Sequence, residues 1–504
     1  MKILQYITLS LLFLLLSLAI VQAQAYRNNI PPKHEMRGVW VATVNNIDYP
    51  KRPTPIAIAQ KEQWRKLIEK LKRAGMNAVY VQVRPSADAL YASSFVPFSK
   101  FLTGRQGRSP EPFYDPMQSM IEIAHEHGME FHAWLNPYRA TTNLDTLNLS
   151  LWHVFNRHRE WLVQYDNKFY INPGVPEARR HIVQVVEEIV DNYDIDGIHL
   201  DDYFYPYKKE GQTFVDSTEF KKYGEVYGSV EDWRRNNNDQ LIESIAVAIK
   251  KKKPYVKFGI SPFGVWRNKE DDPDGSESQA GVTSYDDLYA DVRGWLKKSY
   301  IDYVAPQLYW YIGHPKADHE ELLYWWTSNL NDKKLLVGHA AYKIGEQKAE
   351  AWQDPAEMIR QVKLNRKVAK AQGSIFFSAK SILKNPLGLV DSLRTNYYRY
   401  PAVPPVIMPD DAKSPKVTSP KLKKIKSKSN GVEINWKINK PVPTAGFGMM
   451  PPDYYIIYRF EDTGLGNISD PRNIIGISSM NGNQCAFLDK TAIENQIYTY
   501  TVTA

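Results

Sequence analysis

The chain has 504 residues, a formal net charge of +8, 43% hydrophobic and 24% charged residues, a balance that excludes a disordered or membrane-embedded protein. That length exceeds one ordinary domain and fits one large domain followed by a small one. Cys485 is the single cysteine, which excludes an internal disulfide, and neither charge pattern nor motif points to a nucleic-acid partner.

In chain order, Met1-Lys2 gives a positive start, Leu9 to Val21 is an almost unbroken apolar run, and Ala23-Gln24-Ala25 offers small residues for cleavage. This pattern predicts a signal peptide over residues 1–25, and hence an exported protein, periplasmic or associated with the cell envelope. The run is short for a spanning helix, no later segment is apolar enough to span, and Cys485 lies too far away to anchor a lipid at the N-terminus.

From Arg37 to Lys380 one theme recurs, a short β-rich apolar run, a loop, and an amphipathic helix. The runs are Arg37 to Thr43, Ala78 to Arg84, Glu130 to Asn136 and Ile195 to Asp201, then Lys257 to Phe263, Tyr303 to Tyr309, Leu335 to Ala341 and Gly373 to Ala379. Helices are expected over Gln60 to Ala74 and Met117 to His127, ending at Gly75 and Gly128, and over Ala178 to Asn192 after Pro176. Eight such repeats predict an α/β fold, a (β/α)8 TIM barrel over residues 31–400. An open doubly wound sheet lacks its Gly-rich phosphate loop. His125-Glu126-His127 reads as a solvated helix terminus, because histidines two apart do not share a helix face.

Proline, lysine and serine dominate residues 401–420, which read as a stiff linker, and the lysines from Lys413 to Lys428 read as solvated. Residues 421–504 carry short strand patterns at Gly431 to Trp436, Tyr454 to Phe460, Asn473 to Ile477 and Tyr498 to Val502. With Trp436 and Phe487-Leu-Asp489, this region resembles a fibronectin type III β-sandwich that is one strand short at Ala504.

In such a barrel the chemistry sits at the C-terminal ends of the strands. Strand four ends Asp196-Gly-Ile-His-Leu-Asp-Asp-Tyr203, and alternation puts His199, Asp201 and Tyr203 on one face and Asp202 on the other. Asp201 is the leading candidate for a catalytic carboxylate, and Asp202 is either a second one or an orienting group. Glycoside hydrolysis uses two carboxyl groups, so a second is expected across the cleft, from Asp48, Asp88, Asp286, Asp287 or Asp202. Other strand ends supply candidate substrate-binding groups: Arg37 and Trp40, then Arg84, then Trp134, Asn136, Tyr138 and Arg139. Strand four adds His199 and Tyr203, and strands six and seven add Gln307, Tyr309 and Trp310, then His339 and Tyr342. The aromatic content is 12%, with 13 Trp and 32 Tyr, which suits stacking on sugar rings.

Arg37-Gly-Val-Trp-Val-Ala-Thr43, Asn136-Pro-Tyr-Arg139, Asp196 to Pro206, Ser261-Pro-Phe-Gly264 and Ala305 to Trp310 closely resemble the glycosyl-hydrolase-like 10 family, over Pro31 to Tyr400. The resemblance implies a barrel that hydrolyses a bacterial cell-wall or related amino-sugar polysaccharide, in particular peptidoglycan glycan strands stripped of stem peptides. Strand four is also similar to the amylase-superfamily segment, with Asp201 at the nucleophile's place and His199 where Arg would stand. It is similar to the chitinase motif too, with Tyr203 in place of the acid. No cofactor or metal is called for. Two alternatives remain: a non-catalytic glycan-binding barrel, and a metal-dependent hydrolase or deacetylase using His199 and Asp201 with His132 or His339.

Overall fold

The computed structural model describes residues 30–407, 419–437, 454–479 and 485–504. The expected signal peptide lies outside the described residues.

Eight strands close a parallel barrel: β1 (Met36–Val41), β2 (Ala78–Arg84), β3 (Glu130–Leu135), β4 (Gly197–Leu200), β5 (Lys257–Ile260), β6 (Tyr303–Val304), β7 (Lys334–His339) and β8 (Ala371–Phe376). β8 returns to β1 in a register running from Met36 opposite Gly373 to Val39 opposite Phe376. Helices pack outside, among them α1 (Ala57–Arg73), α2 (Pro116–Glu126), α3 (Pro176–Asn192), α4 (Val230–Lys252) and α5 (Ala356–Lys367). α1 buries Trp64, Ile68 and Leu71 at helical spacing, and α2 starts where the Asp115 carboxylate accepts from the Met117 and Gln118 N–H groups. At the end of α2, His125 is paired at 2.9 Å with Asp196 rather than solvated. Among the described residues no helix is long and apolar enough to cross a membrane.

The strands stop earlier than their apolar runs suggest. β4 ends at Leu200, β5 at Ile260 and β6 at Val304, so Asp201, Ser261 and Gln307 belong to the loops of the barrel mouth. Inside the barrel, large side chains face glycines on neighbouring strands. A Cβ at Gly38 would stand 2.6 Å from the Tyr80 ring, and one at Gly197 2.4 Å from His132 Nδ1. One at Gly259 would overlap the Tyr303 ring outright, at 2.0 Å. Those rings, with Met36, Trp40, Trp134 and Ile375, fill the interior as a packed core rather than a pore.

Residues 401–407 do not behave as a linker. The Glu35 N–H donates to the Val403 carbonyl at 3.0 Å, Val403 N–H to Lys33 at 2.9 Å, and the Asn77 amide to Ala402 at 3.0 Å. Ile407 is buried with Met36, Tyr80 and Tyr303, so this extended, proline-rich stretch floors the barrel. Of the expected linker, residues 408–418 lie outside the described set.

Among the described residues, six antiparallel strands form the C-terminal unit: β9 (Lys421–Lys428), β10 (Gly431–Lys437), β11 (Tyr454–Glu461), β12 (Ile474–Ser479), β13 (Ala486–Asp489) and β14 (Tyr498–Thr503). They make two sheets, β9-β10-β13 and β12-β11-β14, packed over Ile434, Trp436, Tyr455, Ile457, Tyr500 and Val502. The Lys421–Lys428 segment, expected as solvated chain, is instead an edge strand exposed along its whole length. Its lysines discourage edge-to-edge pairing with another sheet. Val403 packs with Ile456, Tyr458 and Phe460, so the floor segment also touches the sandwich.

A chain ending at Tyr400 is therefore expected to melt several degrees below one ending after Ile407, because it loses the buried Ile407 side chain, worth roughly 1.5–3 kcal/mol, and the backbone bonds of Ala402 and Val403 to the barrel. Calorimetry of the two truncations checks this, and equal melting temperatures would mean that the floor segment adds no stability.

Candidate active site

The cleft at the barrel mouth is a cavity of about 450 Å³, within the usual size range for small-ligand sites. Trp40, Trp134, Arg139, Asp201, Asp202, Tyr203, Gln307, Tyr309 and Trp310 all line it. So do Gln82, Ser261 and Tyr342, together with Tyr207, Phe263, Lys343 and Phe377, which the sequence reading passed over.

Asp201 is held by an oriented chain of amides. The Thr43 and Val44 N–H groups donate to Gln82 Oε1 at 3.0 and 2.9 Å, which leaves the Gln82 amide nitrogen to donate to Asn136 Oδ1. Asn136 Nδ2 must then donate to Asp201 Oδ2, at 2.6 Å. Backbone donors at one end thus fix the sense of every bond up to the carboxylate. Asn136 is fully buried behind the cleft, so it positions Asp201 without lining the cavity.

Asp202 points into the same cleft, contrary to the alternation argument. β4 has already ended at Leu200, so the two-residue period no longer governs the chain there. Gln307 Nε2 donates to its Oδ1 at 3.0 Å and the Tyr207 hydroxyl to its Oδ2. Burial raises both carboxyl groups. Asp201 is pushed up to about 7 by burial and the neighbouring Asp202 charge, against the pull of Arg139 and Asn136. Asp202 is also raised by burial, opposed by the Tyr207 and Gln307 donors. The Arg139 guanidinium lies 4.6 Å from the centre of the Tyr203 ring.

No carboxyl group stands opposite this pair among the described cleft-lining residues. Asp48 instead accepts from the Ala42 N–H, Ser378 and the Lys380 N–H, tying β1's loop to the segment after β8. Asp88 accepts from the Ser86 N–H and Gln106, Asp286 pairs with Arg267, and Asp287 pairs with Lys208.

Five expected substrate contacts lie elsewhere. Trp40 faces inward, so Arg37, three residues earlier on β1, faces outward at the opposite end of the barrel, paired with Glu35. His339 likewise faces outward from β7 and bonds Gln361 and Ser374. Arg84 follows a register shift in β2 and donates to the Asn136 and Pro137 carbonyls, while Tyr138 is buried away from the cavity. His199 sits one layer beneath the cleft with both ring nitrogens occupied, Nε2 by the Trp40 indole at 3.1 Å and Nδ1 by the Tyr303 hydroxyl at 3.0 Å. Both nitrogens are therefore unavailable to a metal, and among the described residues no three His, Cys, Asp or Glu side chains form a metal-holding group.

Residues 35–354 match the family described as glycosyl hydrolase-like 10. The chain belongs to that family. It is 45% identical over 484 residues to glycosyl hydrolase YngK of Bacillus subtilis, covering 94% of this chain and 91% of the relative. Over 365 residues it is 38% identical to glycosyl hydrolase DigH of Escherichia coli, covering 68% and 82% respectively. Among solved structures it resembles the PgaB glycoside hydrolase domain of Bordetella bronchiseptica, at 13% identity and a TM-score of 0.47, over 72% of this chain and 99% of that one. As a glycoside hydrolase it takes a carbohydrate substrate.

Two outcomes test the cleft of this glycoside hydrolase. Asn136→Ala frees Asp201 to rotate and is expected to lower turnover about 10–100-fold with little change in KM, for a group whose misplacement is felt mainly in the transition state. A KM effect alone would contradict a positioning role. Raising Asp201 from 3.8 to about 7 on folding means the unfolded chain ionises first as pH rises, so stability falls between those values. Asp201→Asn should therefore melt higher than the parent at pH 8, with the gain fading towards pH 4. A pH-independent difference would sink the assignment.

Proposed function

We propose that this glycoside hydrolase cleaves glycosidic bonds in an amino-sugar polysaccharide of the bacterial wall, with peptidoglycan glycan strands as its substrate. The observation that carries the reading is the buried pair Asp201–Asp202 in an aromatic-lined cleft. Trp40, Trp134 and Trp310 offer ring faces to sugars, and Arg139 and Lys343 offer positive charge to a glycan bearing carboxylates. The signal-peptide pattern of residues 1–25 supports action in the envelope after export.

The two carboxyl groups have environments that push their roles apart. Asp202 accepts from two side-chain donors that favour its ionised form, whereas Asp201 has one, Asn136, with the Tyr203 N–H at 3.3 Å. Asp201 is accordingly the general acid, giving its proton to the leaving glycosidic oxygen as the bond to C1 breaks. With no carboxylate across the cleft among the described residues, the attacking group is the carbonyl oxygen of the substrate's own 2-acetamido group. It bonds to C1 and forms an oxazolinium ion, whose N–H is held by the Asp202 carboxylate. Water then adds to C1, returning a proton to Asp201 and reopening the acetamido group, so the configuration at C1 is retained.

Incubation with intact and with amidase-treated peptidoglycan, followed by mass spectrometry of released sugars, tests the substrate. Binding without any released sugar would favour a non-catalytic glycan-binding barrel. Asp201→Asn is expected to lower turnover at least ~10²-fold and to abolish the decline in rate above pH 7, as suits a group acting in the transition state. De-N-acetylated glycan should resist cleavage. An inverted product anomer, followed by NMR, would rule out the acetamido step and make water the direct nucleophile.

A further inference from the structure

Arg37, which the cleft does not use, opens onto a second cavity of about 490 Å³ at the floor of the barrel. Its guanidinium is 1% exposed. Nε donates to Glu35 at 2.7 Å, Nη1 to the Tyr400 carbonyl at 2.8 Å, and the face of the group lies 4.4 Å from the centre of the Tyr398 ring. The remaining nitrogen, Nη2, is buried without a hydrogen-bond partner. A buried charged donor left unpaired costs more than a neutral one, and it marks a place where an acceptor would bind.

Positive charge at this place exceeds negative. Glu35 is shared between Arg37 and Arg366, at 2.7 and 2.6 Å, so one carboxylate serves two guanidinium groups. Lys72 borders the same cavity, and burial together with the Arg37 charge holds its pKa down to about 8. Arg73, Arg394 and Arg399 stand at the exposed rim. Asp391 is the only carboxylate lining the cavity among the described residues, and it is already engaged by the Asn385 amide at 2.8 Å.

We propose that this floor cavity is an oxyanion site, built to take a phosphate group, as monoester or phosphodiester, carried on a larger molecule. Five cationic side chains line the cavity against Asp391 and the shared Glu35, an excess that favours a dianionic or repeating anionic group over a lone carboxylate. The cavity is also roomier than a bare phosphate needs, and it opens beside Ile477 of the sandwich, so an attached chain can leave along that surface. The site faces away from the catalytic mouth, so it would dock the enzyme on an anionic polymer, or respond to a small phosphoester, without touching the reacting sugar.

Isothermal titration of the full chain at constant ionic strength tests this, with inorganic phosphate, glycerol 1-phosphate and a glycerol-phosphate oligomer as probes. One saturable site is expected. Lys72→Gln or Arg394→Ala should each weaken it about tenfold, the value of one charge-assisted hydrogen bond, while turnover in the cleft stays unchanged. Arg394 is exposed, so its variant keeps the test valid even if changes at Lys72 or Arg37 disturb folding. Tighter binding of the oligomer than of the monoester names a phosphodiester polymer as the source, and the reverse order names a small phosphoester. Absence of saturable binding of any probe, or binding that both variants leave intact, overturns the proposal.

Discussion

The constraint on which the molecule rests is the line of polar side chains threaded through the axis of its barrel. The Trp40 indole can only donate, so His199 Nε2 accepts and its Nδ1 carries the proton that goes to the Tyr303 hydroxyl. Burial keeps His199 neutral, well below the ordinary histidine range, and the tautomer is fixed by the partners on either side. Tyr303 in turn donates to His132 Nδ1 at 3.2 Å, and His132 Nε2 meets the Glu130 carboxylate at 2.9 Å. Lys257 closes the line at the floor. Each member satisfies the next, so five polar groups are buried without an orphan between them. Gly38, Gly197 and Gly259 make the room, since any side chain there would enter the rings of Tyr80, His132 or Tyr303.

The cleft inherits its rigidity from this line. His199 anchors Trp40 from below, and Trp40 forms part of the cleft wall. The amide chain runs from Gln82 on β2 to Asn136, one residue past the end of β3, and delivers one hydrogen bond to Asp201. Both devices tie a functional group to side chains that are themselves buried and hydrogen-bonded, which limits the motion a reacting carboxyl group can make. Asp202 depends on different supports, Tyr207 in its own loop and Gln307 from beyond β6, so the two acids are held independently although adjacent in sequence.

How much of this was legible follows from where backbone periodicity applies. All eight barrel strands are visible as apolar runs, because both faces of a buried parallel strand are covered and few other segments look like that. The same alternation, once Trp40 is taken as inward, would have sent Arg37 outward. It fails at Asp202, since a residue past the last ladder bond is free of the two-residue period. Asn136 was singled out for binding, yet its role runs through Asp201, and no single sequence distinguishes an amide that touches substrate from one that touches an acid. Tyr207 was missed because it sits in an irregular loop, and Lys343 because it ends a single 3-10 turn (Ala341–Lys343), where neither period nor motif marks a direction. The floor segment was misread for a related reason. Prolines at 401, 404 and 405 suit a linker by composition, but an extended proline-rich chain still offers carbonyls, and here Glu35 and Asn77 donate to them.

The two ends of the barrel carry opposite electrostatic debts, and the polar line keeps them apart. At the mouth, burial sets two carboxyl groups side by side with Arg139 as the nearby cation, which destabilises the folded chain at neutral pH and readies a proton for transfer. At the floor, two guanidinium groups share Glu35, and further positive charge gathers around a cavity. Between them the interior is neutral at His199, with Tyr80, Tyr303 and Ile375 filling the space. Bringing the mouth acids nearer to the floor cations would lower the raised carboxyl pKa on which proton donation depends. The closed barrel keeps the two apart by placing the acids and the cations at opposite ends of the same eight strands.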